Sequence, residues 1–433
     1  MRVRIVTLGC RVNQVESQAL ARQFAAAGFS VVPGGAADVV IVNSCTVTAE
    51  ADRKTRQAIR RLRREHPDAL LVLTGCLPQA APEAAQALPE ADLVTGTRDR
   101  AALVSLVRKS LADRVRRVSV EPYGGDEAFE TALEADGFDA RFQKAYLKVE
   151  DGCDRFCAYC VIPRARGRVR SLLPAEITRR AAALAANGYR EIVLTGINLS
   201  RYGVDCGLSL ADAVEAADAA AGDFRLRLSS LESDLLSLEQ WERLARCGRL
   251  CPQFHLALQS GCDETLARMR RRYTTAQYRA ATETARALFP GAQITTDLIA
   301  GFPGETEAEF AQTCAFVDSL GLLRAHVFVY SPRPGTAAAS LPGRVPAAAA
   351  RARSRRLAEI VRESAGRIAQ AHIGRTVQVL CEADGAGFAE NGLEVRLPAG
   401  ARVGEIETLR IVAAEGERAV GAWETKSPPE RRF

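Results

Sequence analysis

Three thiols crowd one short loop. Cys153, Cys157 and Cys160 lie in Asp151-Gly-Cys-Asp-Arg-Phe-Cys-Ala-Tyr-Cys160, with Cys-x3-Cys-x2-Cys spacing. Thiolates hold iron-sulfur clusters, and a cubane has four irons, so three cysteines leave one iron open to a substrate or cofactor. A zinc knuckle would want a fourth Cys or His close by, and the nearest histidines, His66 and His255, are far off in sequence. A second set is spread more widely. Cys10, Cys45 and Cys76 each follow a short apolar run, Val3 to Leu8, Asp38 to Asn43 and Ala69 to Thr74. Each interval is about one strand-helix unit, and the carboxyl ends of parallel strands share one sheet edge, so these thiols can converge on a second three-thiolate site. Asn13, Gln14 and Ser17 follow Cys10 as a polar helix start facing that edge. Cys206, Cys247, Cys251, Cys262, Cys314 and Cys381 show no converging pattern and read as core thiols.

The elements that must position these thiols alternate strand and helix. Residues 1–120 read as an α/β domain with a parallel sheet, and 121–143, with seven acids and several glycines, as a linker. Residues 144–370 contain six strand-helix units, with strands expected at 145–149, 191–195, 225–229, 254–258, 293–299 and 325–330, which predicts an open, partial (βα)6 barrel. The three-cysteine loop follows its first strand, at the carboxyl-terminal face where barrel active sites form. Further loops reach that face: Thr195 to Asn198, Ser229 to Glu232, Gln259 to Gly261, Asp297 to Glu305, and Ser331 to Thr336. Among them Asn198 and Glu232 are candidate polar ligands. Residues 346–370 read as a long helix, and 371–433 as a small β-barrel of five short strands.

Composition sets the surroundings. The 433 residues are 47% hydrophobic and 25% charged, as in an ordinary globular protein. The net charge of +6 is mild but bunched, at 53–64, 164–170, 268–272 and 351–356, which permits a polyanion partner. No signal-peptide pattern opens the chain and no apolar run has membrane-span length, so a cytoplasmic protein without membrane attachment is expected. Twelve cysteines there are ligands and buried thiols, not a disulfide framework.

With an aromatic residue, Tyr159, before its last cysteine, the loop resembles the signature of radical S-adenosylmethionine (SAM) enzymes, and the preceding domain resembles that of the methylthiotransferases. Thr7-Leu-Gly-Cys10-Arg-Val-Asn-Gln14-Val-Glu-Ser17, Asn43-Ser-Cys45-Thr-Val-Thr48, Ala51-Asp-Arg-Lys54 and Gly152 through Gly167 look most like the branch that acts on N6-threonylcarbamoyladenosine (t6A) in tRNA. The resemblance implies a transferase that makes 2-methylthio-t6A at tRNA position 37. It implies two [4Fe-4S] clusters, one on Cys153, Cys157 and Cys160 whose open iron chelates SAM, and an auxiliary one on Cys10, Cys45 and Cys76. Asn198, Glu232, Tyr159 and Gly196 are the expected SAM-side residues. One SAM would methylate a sulfur on the auxiliary cluster, and another would be cleaved to a radical that activates C2 of the adenine. It further implies an electron donor such as a flavodoxin or ferredoxin, and a TRAM-like fold for the C-terminal barrel. From residue 371 onward, eight basic side chains face ten acids, so the runs at 53–64 and 164–170 are the expected phosphate contacts instead. The alternatives are methylthiotransferases of isopentenyladenosine in tRNA or of a ribosomal-protein aspartate, and a non-catalytic iron-sulfur redox sensor that binds RNA.

Overall fold

Aliphatic runs bounded by Gly and Ser build the N-terminal sheet. In the computed structural model, which describes residues 1–98, 100–125, 127–131 and 143–424, six parallel strands lie in the order Ser30–Val31, Arg2–Thr7, Val39–Ser44, Leu70–Gly75, Leu93–Thr95, Arg117–Ser119. Val39–Ser44 and Leu70–Gly75 are buried along their whole length, as strands covered on both faces must be. Helix Arg11–Ala26 covers one face with Leu20 and Phe24; helix Ala49–Glu65 covers the other with Ile59 and Leu62. The three strands that precede cysteines are adjacent, as their spacing requires. The other three are only two or three residues long, too short to carry a period of their own. The linker expected at 121–143 falls partly outside the described residues; within them, the Tyr123 ring lies 5.0 Å from the Arg170 guanidinium.

The second domain is the expected open barrel. Its parallel strands are Ala145–Lys148, Glu191–Thr195, Arg225–Leu228 continuing past Ser229 as Ser230–Leu231, Gln253–Leu256, Gln293–Ala300 and Arg324–Val329. At Ser229 the third strand passes from a three-stranded sheet to a four-stranded one. The first and sixth strands are the unpaired edges. Side chains alternate: Ala145 and Leu147 join the core under the helices, so Tyr146 and Lys148 face the interior.

Helix Ala347–Ala371 leads into a closed five-stranded barrel, Thr376–Cys381, Ala386–Ala389, Glu394–Arg396, Arg418–Trp423 and Ile406–Glu415 in spatial order. This barrel plugs the amino-terminal end of the larger one. Arg225 donates to the carbonyls of Gln378 and Phe388 at 2.7 and 2.8 Å, and Arg227 to those of Ala389 and Glu390 at 3.2 Å, while Glu191 of the neighbouring strand pairs with both guanidiniums.

Candidate active site

Cys10, Cys45 and Cys76 stand where three adjacent strands end, and Asn13 ties them together. Its Nδ2 donates to the Leu8 and Ser44 carbonyls at 2.8 and 2.9 Å, joining the first two loops. Its Oδ1 faces the Cys10 sulfur at 3.7 Å and the Cys76 sulfur at 4.0 Å. Gly9, at φ +110°, lets the loops close, since a Cβ there would lie 2.5 Å from that of Cys45. Burial pushes the Cys45 thiol up to about 12 and that of Cys76 upward too. Such thiols become thiolates only when a cation takes the proton's place, which fits them as cluster ligands. Among the described residues no three His, Cys, Asp or Glu side chains are grouped to hold one metal ion. A cubane makes no such demand, because its ligands sit on different irons.

The same asparagine reaches the barrel. Its Oδ1 accepts from Arg166 Nη2 at 2.7 Å, just past the second cysteine loop, and Arg166 also grips Glu16 one helical turn along. Glu16, 2% exposed, pairs besides with Arg100 and with Lys148 of the first barrel strand, the latter at 2.9 Å. Lys148 in turn holds Asp151 at 2.6 Å, at the start of the Cys153 loop. One buried ion network thus fixes the two thiol sites relative to each other.

In that loop, Cys153 N donates to Gly167 O at 3.1 Å, Cys160 N to Cys157 O at 3.0 Å, and Ala158 N to Met269 O at 2.9 Å. Gly152 has φ +92°, and a Cβ there would strike the Arg168 carbonyl. Burial raises the Cys153 thiol to about 12 and lifts that of Cys160 as well. Arg271, 9% exposed, points Nη1 at the Cys157 sulfur at 3.3 Å and pairs with Glu232 at 2.8 Å. The other Glu232 oxygen takes Arg155 at 2.7 Å.

The expected SAM-side residues are all brought to this mouth, in different capacities. Asn198 Nδ2 lies 4.0 Å from the Cys153 sulfur, and its Oδ1 is buried without a partner, as are the hydroxyls of Ser229 and Ser233. Unpaired buried polar groups at the barrel mouth fit a zwitterionic ligand such as SAM. Gly196 makes room for Glu150, whose carboxylate accepts from Asn198 N at 2.8 Å and which a Cβ on Gly196 would hit. Tyr159 packs edge-on against Phe302 at 6.4 Å.

Sequence reasoning missed Arg166, Arg271, Arg333 and Glu150. Arg166 and Arg271 sit in basic runs read as open to a polyanion and Arg333 in the Ser331 to Thr336 loop, and the burial of all three follows from acids distant in sequence. Part of those runs is engaged within the molecule: Arg53, Arg60, Arg61 and Arg63 pair with Glu50, Glu90, Glu65 and Asp92, and Arg166 and Arg170 are buried. On helix Ala49–Glu65, Arg53, Lys54, Arg60, Arg61 and Arg64 stay exposed. Arg164 and Arg168 remain exposed.

The open barrel with a three-cysteine loop at its carboxyl mouth, joined to a sheet that gathers three more thiols, defines a radical SAM enzyme with an auxiliary cluster site. Residues 147–317 match the radical SAM superfamily, and residues 2–96 an uncharacterised protein family, UPF0004. Over 425 residues the chain is 38% identical to the threonylcarbamoyladenosine tRNA methylthiotransferase MtaB of Thermotoga maritima, with 96% of each covered. It is 35% identical over 391 residues to the tRNA-2-methylthio-N6-dimethylallyladenosine synthase of Oleidesulfovibrio alaskensis, covering 87% of this chain and 82% of that one. The radical SAM methyltransferase TsrM of Kitasatospora setae, solved with cobalamin and a [4Fe-4S] cluster bound, superimposes with a TM-score of 0.56 at 16% identity over 78% of this chain and 77% of the other, which shows a shared fold. The chain belongs to the radical SAM methylthiotransferase family.

Proposed function

We propose that this enzyme converts N6-threonylcarbamoyladenosine, next to the anticodon of tRNA, to its 2-methylthio derivative. The observation that carries the chemistry is the pair of three-thiol sites locked together by the Asn13, Glu16 and Arg166 network. The choice of substrate rests on the Thermotoga relative, aligned over nearly all of both chains. When bound, the cluster on Cys153, Cys157 and Cys160 supplies an electron to SAM, and the auxiliary cluster on Cys10, Cys45 and Cys76 supplies the site of sulfur attachment. The protein's part is to orient and to exclude water. Asn198 offers its free Oδ1 to SAM, and Glu232 holds Arg271 against the Cys157 sulfur as a positioning group. Tyr159 and Gly196 shape the wall.

The electron comes from a low-potential carrier of the flavodoxin or ferredoxin kind. A cytoplasmic location is proposed as well, supported by the tRNA-acting relative and by the lack, among the described residues, of a helix long and apolar enough to cross a membrane.

Anaerobically reconstituted protein should contain about eight irons per chain and, given SAM, reductant and a t6A stem-loop, should yield the 2-methylthio nucleoside by mass spectrometry. Cys157→Ala should abolish 5′-deoxyadenosine formation, whereas Cys45→Ala should keep it and lose sulfur insertion. An intact two-cluster protein that releases no 5′-deoxyadenosine would favour the non-catalytic redox sensor.

A further inference from the structure

We propose that Arg11 reads the carboxylate of the substrate's threonyl group, an inference that rests on the t6A reading above. The threonylcarbamoyl substituent ends in a carboxylate, and placing the adenine between the two thiol sites carries that anion into the gap between the domains. An anion taken out of water needs a cation there.

Most cations around the gap are already committed. Arg100, Arg166 and Lys148 share Glu16; Arg155 and Arg271 share Glu232; Arg333 is held by Asp52. Arg11 is different. It is exposed and has no ion pair or hydrogen bond to another described side chain, and it lies over the ring of Tyr146, with the guanidinium carbon 5.8 Å from the ring centroid.

Its position is set from both sides. Arg11 is the first residue of helix Arg11–Ala26 and directly follows the thiol Cys10. Tyr146 is an interior-facing residue of the barrel's edge strand, two positions before Lys148, which bridges Glu16 and Asp151. The guanidinium therefore stands between the auxiliary thiol site and the open edge of the barrel. Packing on an aromatic ring limits its rotation and leaves the N–H fork free, the arrangement that grips a carboxylate through two parallel hydrogen bonds. A dimethylallyl substituent is all hydrocarbon and would gain nothing from it.

The test uses anticodon stem-loops bearing t6A or its carboxamide analogue, in which the threonine carboxylate is replaced by an uncharged amide. Wild-type enzyme should prefer the acid by on the order of 10- to 100-fold in kcat/KM, the range of one charge-assisted contact. Arg11→Gln should erase that preference, chiefly by raising KM for the acid, and Arg11→Lys should restore part of it. Iron content shows that the variants are folded, and the wild-type comparison stands even if one is not. Equal wild-type rates on the two substrates, or an Arg11→Gln loss of the same size on both, would overturn the assignment. Wild-type protein that turns over neither stem-loop would instead overturn the t6A reading.

Discussion

Glu16 sets one negative charge against Arg100, Arg166 and Lys148, all in the same dry space. Burial alone would raise its pKa, but the three cations override it and hold the carboxyl well below the usual range. Removing the acid takes the ion-pair partner from buried Arg100 and leaves Arg166 and Lys148 to share Asp151, so Glu16→Gln should destabilise the protein by about 3–5 kcal/mol, read from the shift in urea denaturation. It should also lower sulfur insertion more than 5′-deoxyadenosine formation, since the network spans the two thiol sites while the Cys153 loop keeps its own hydrogen bonds. At this scale the two sets of thiols were legible and the side chains that support them were not. Cysteines announce themselves by spacing, three within one loop and three that each follow an apolar run about one strand-helix unit from the next. Arg166 and Arg271 look like their neighbours in basic runs until folding brings Glu16 and Glu232 to them.

Loops and strand edges carry the next level of constraint. Gly152 is forced by the carbonyl of Arg168 lying where a side chain would go, and by φ +92°. Gly152→Ala must therefore move the backbone next to Cys153, and it should cut the iron content of purified protein toward the four irons of the auxiliary site. The strands behind the loop were readable because each alternates core and interior positions over four to eight residues, and the expected strand at 191–195 coincides with Glu191–Thr195. Docking of the C-terminal barrel was not readable, since it hangs on main-chain carbonyls that no sequence pattern displays. Glu191, 1% exposed, is the pivot, and Arg227 and Arg225 hold its carboxyl below the ordinary range against the cost of burial. A depressed carboxyl pKa contributes stability that is fully present above the unfolded value of about 4.3 and is lost as pH falls through the folded one. Wild type should thus exceed Glu191→Gln in resistance to urea at neutral pH, with the difference shrinking steadily below about pH 4.

Across the whole molecule, the N-terminal domain touches both free edges of the barrel. Helix Arg11–Ala26 meets the first strand, and beyond the sixth strand Ser331 Oγ accepts from Ala49 N at 2.9 Å while Arg333 donates to Thr46 and Asp52, each at 2.6 Å. Thr46 follows Cys45 directly, so Arg333, 4% exposed, fixes one auxiliary thiol against the barrel from the side opposite Glu16. Two anchors on opposite edges define the gap in which sulfur must meet carbon, and a displacement of about 1 Å between reacting partners can cost on the order of 100-fold in rate. Arg333→Ala removes one anchor while leaving all six cysteines in place. Iron content should stay near the wild-type value and 5′-deoxyadenosine should still form with dithionite, but the yield of 2-methylthio nucleoside per 5′-deoxyadenosine should fall by at least about tenfold. An unchanged ratio would mean that the Glu16 side alone holds the two sites in register.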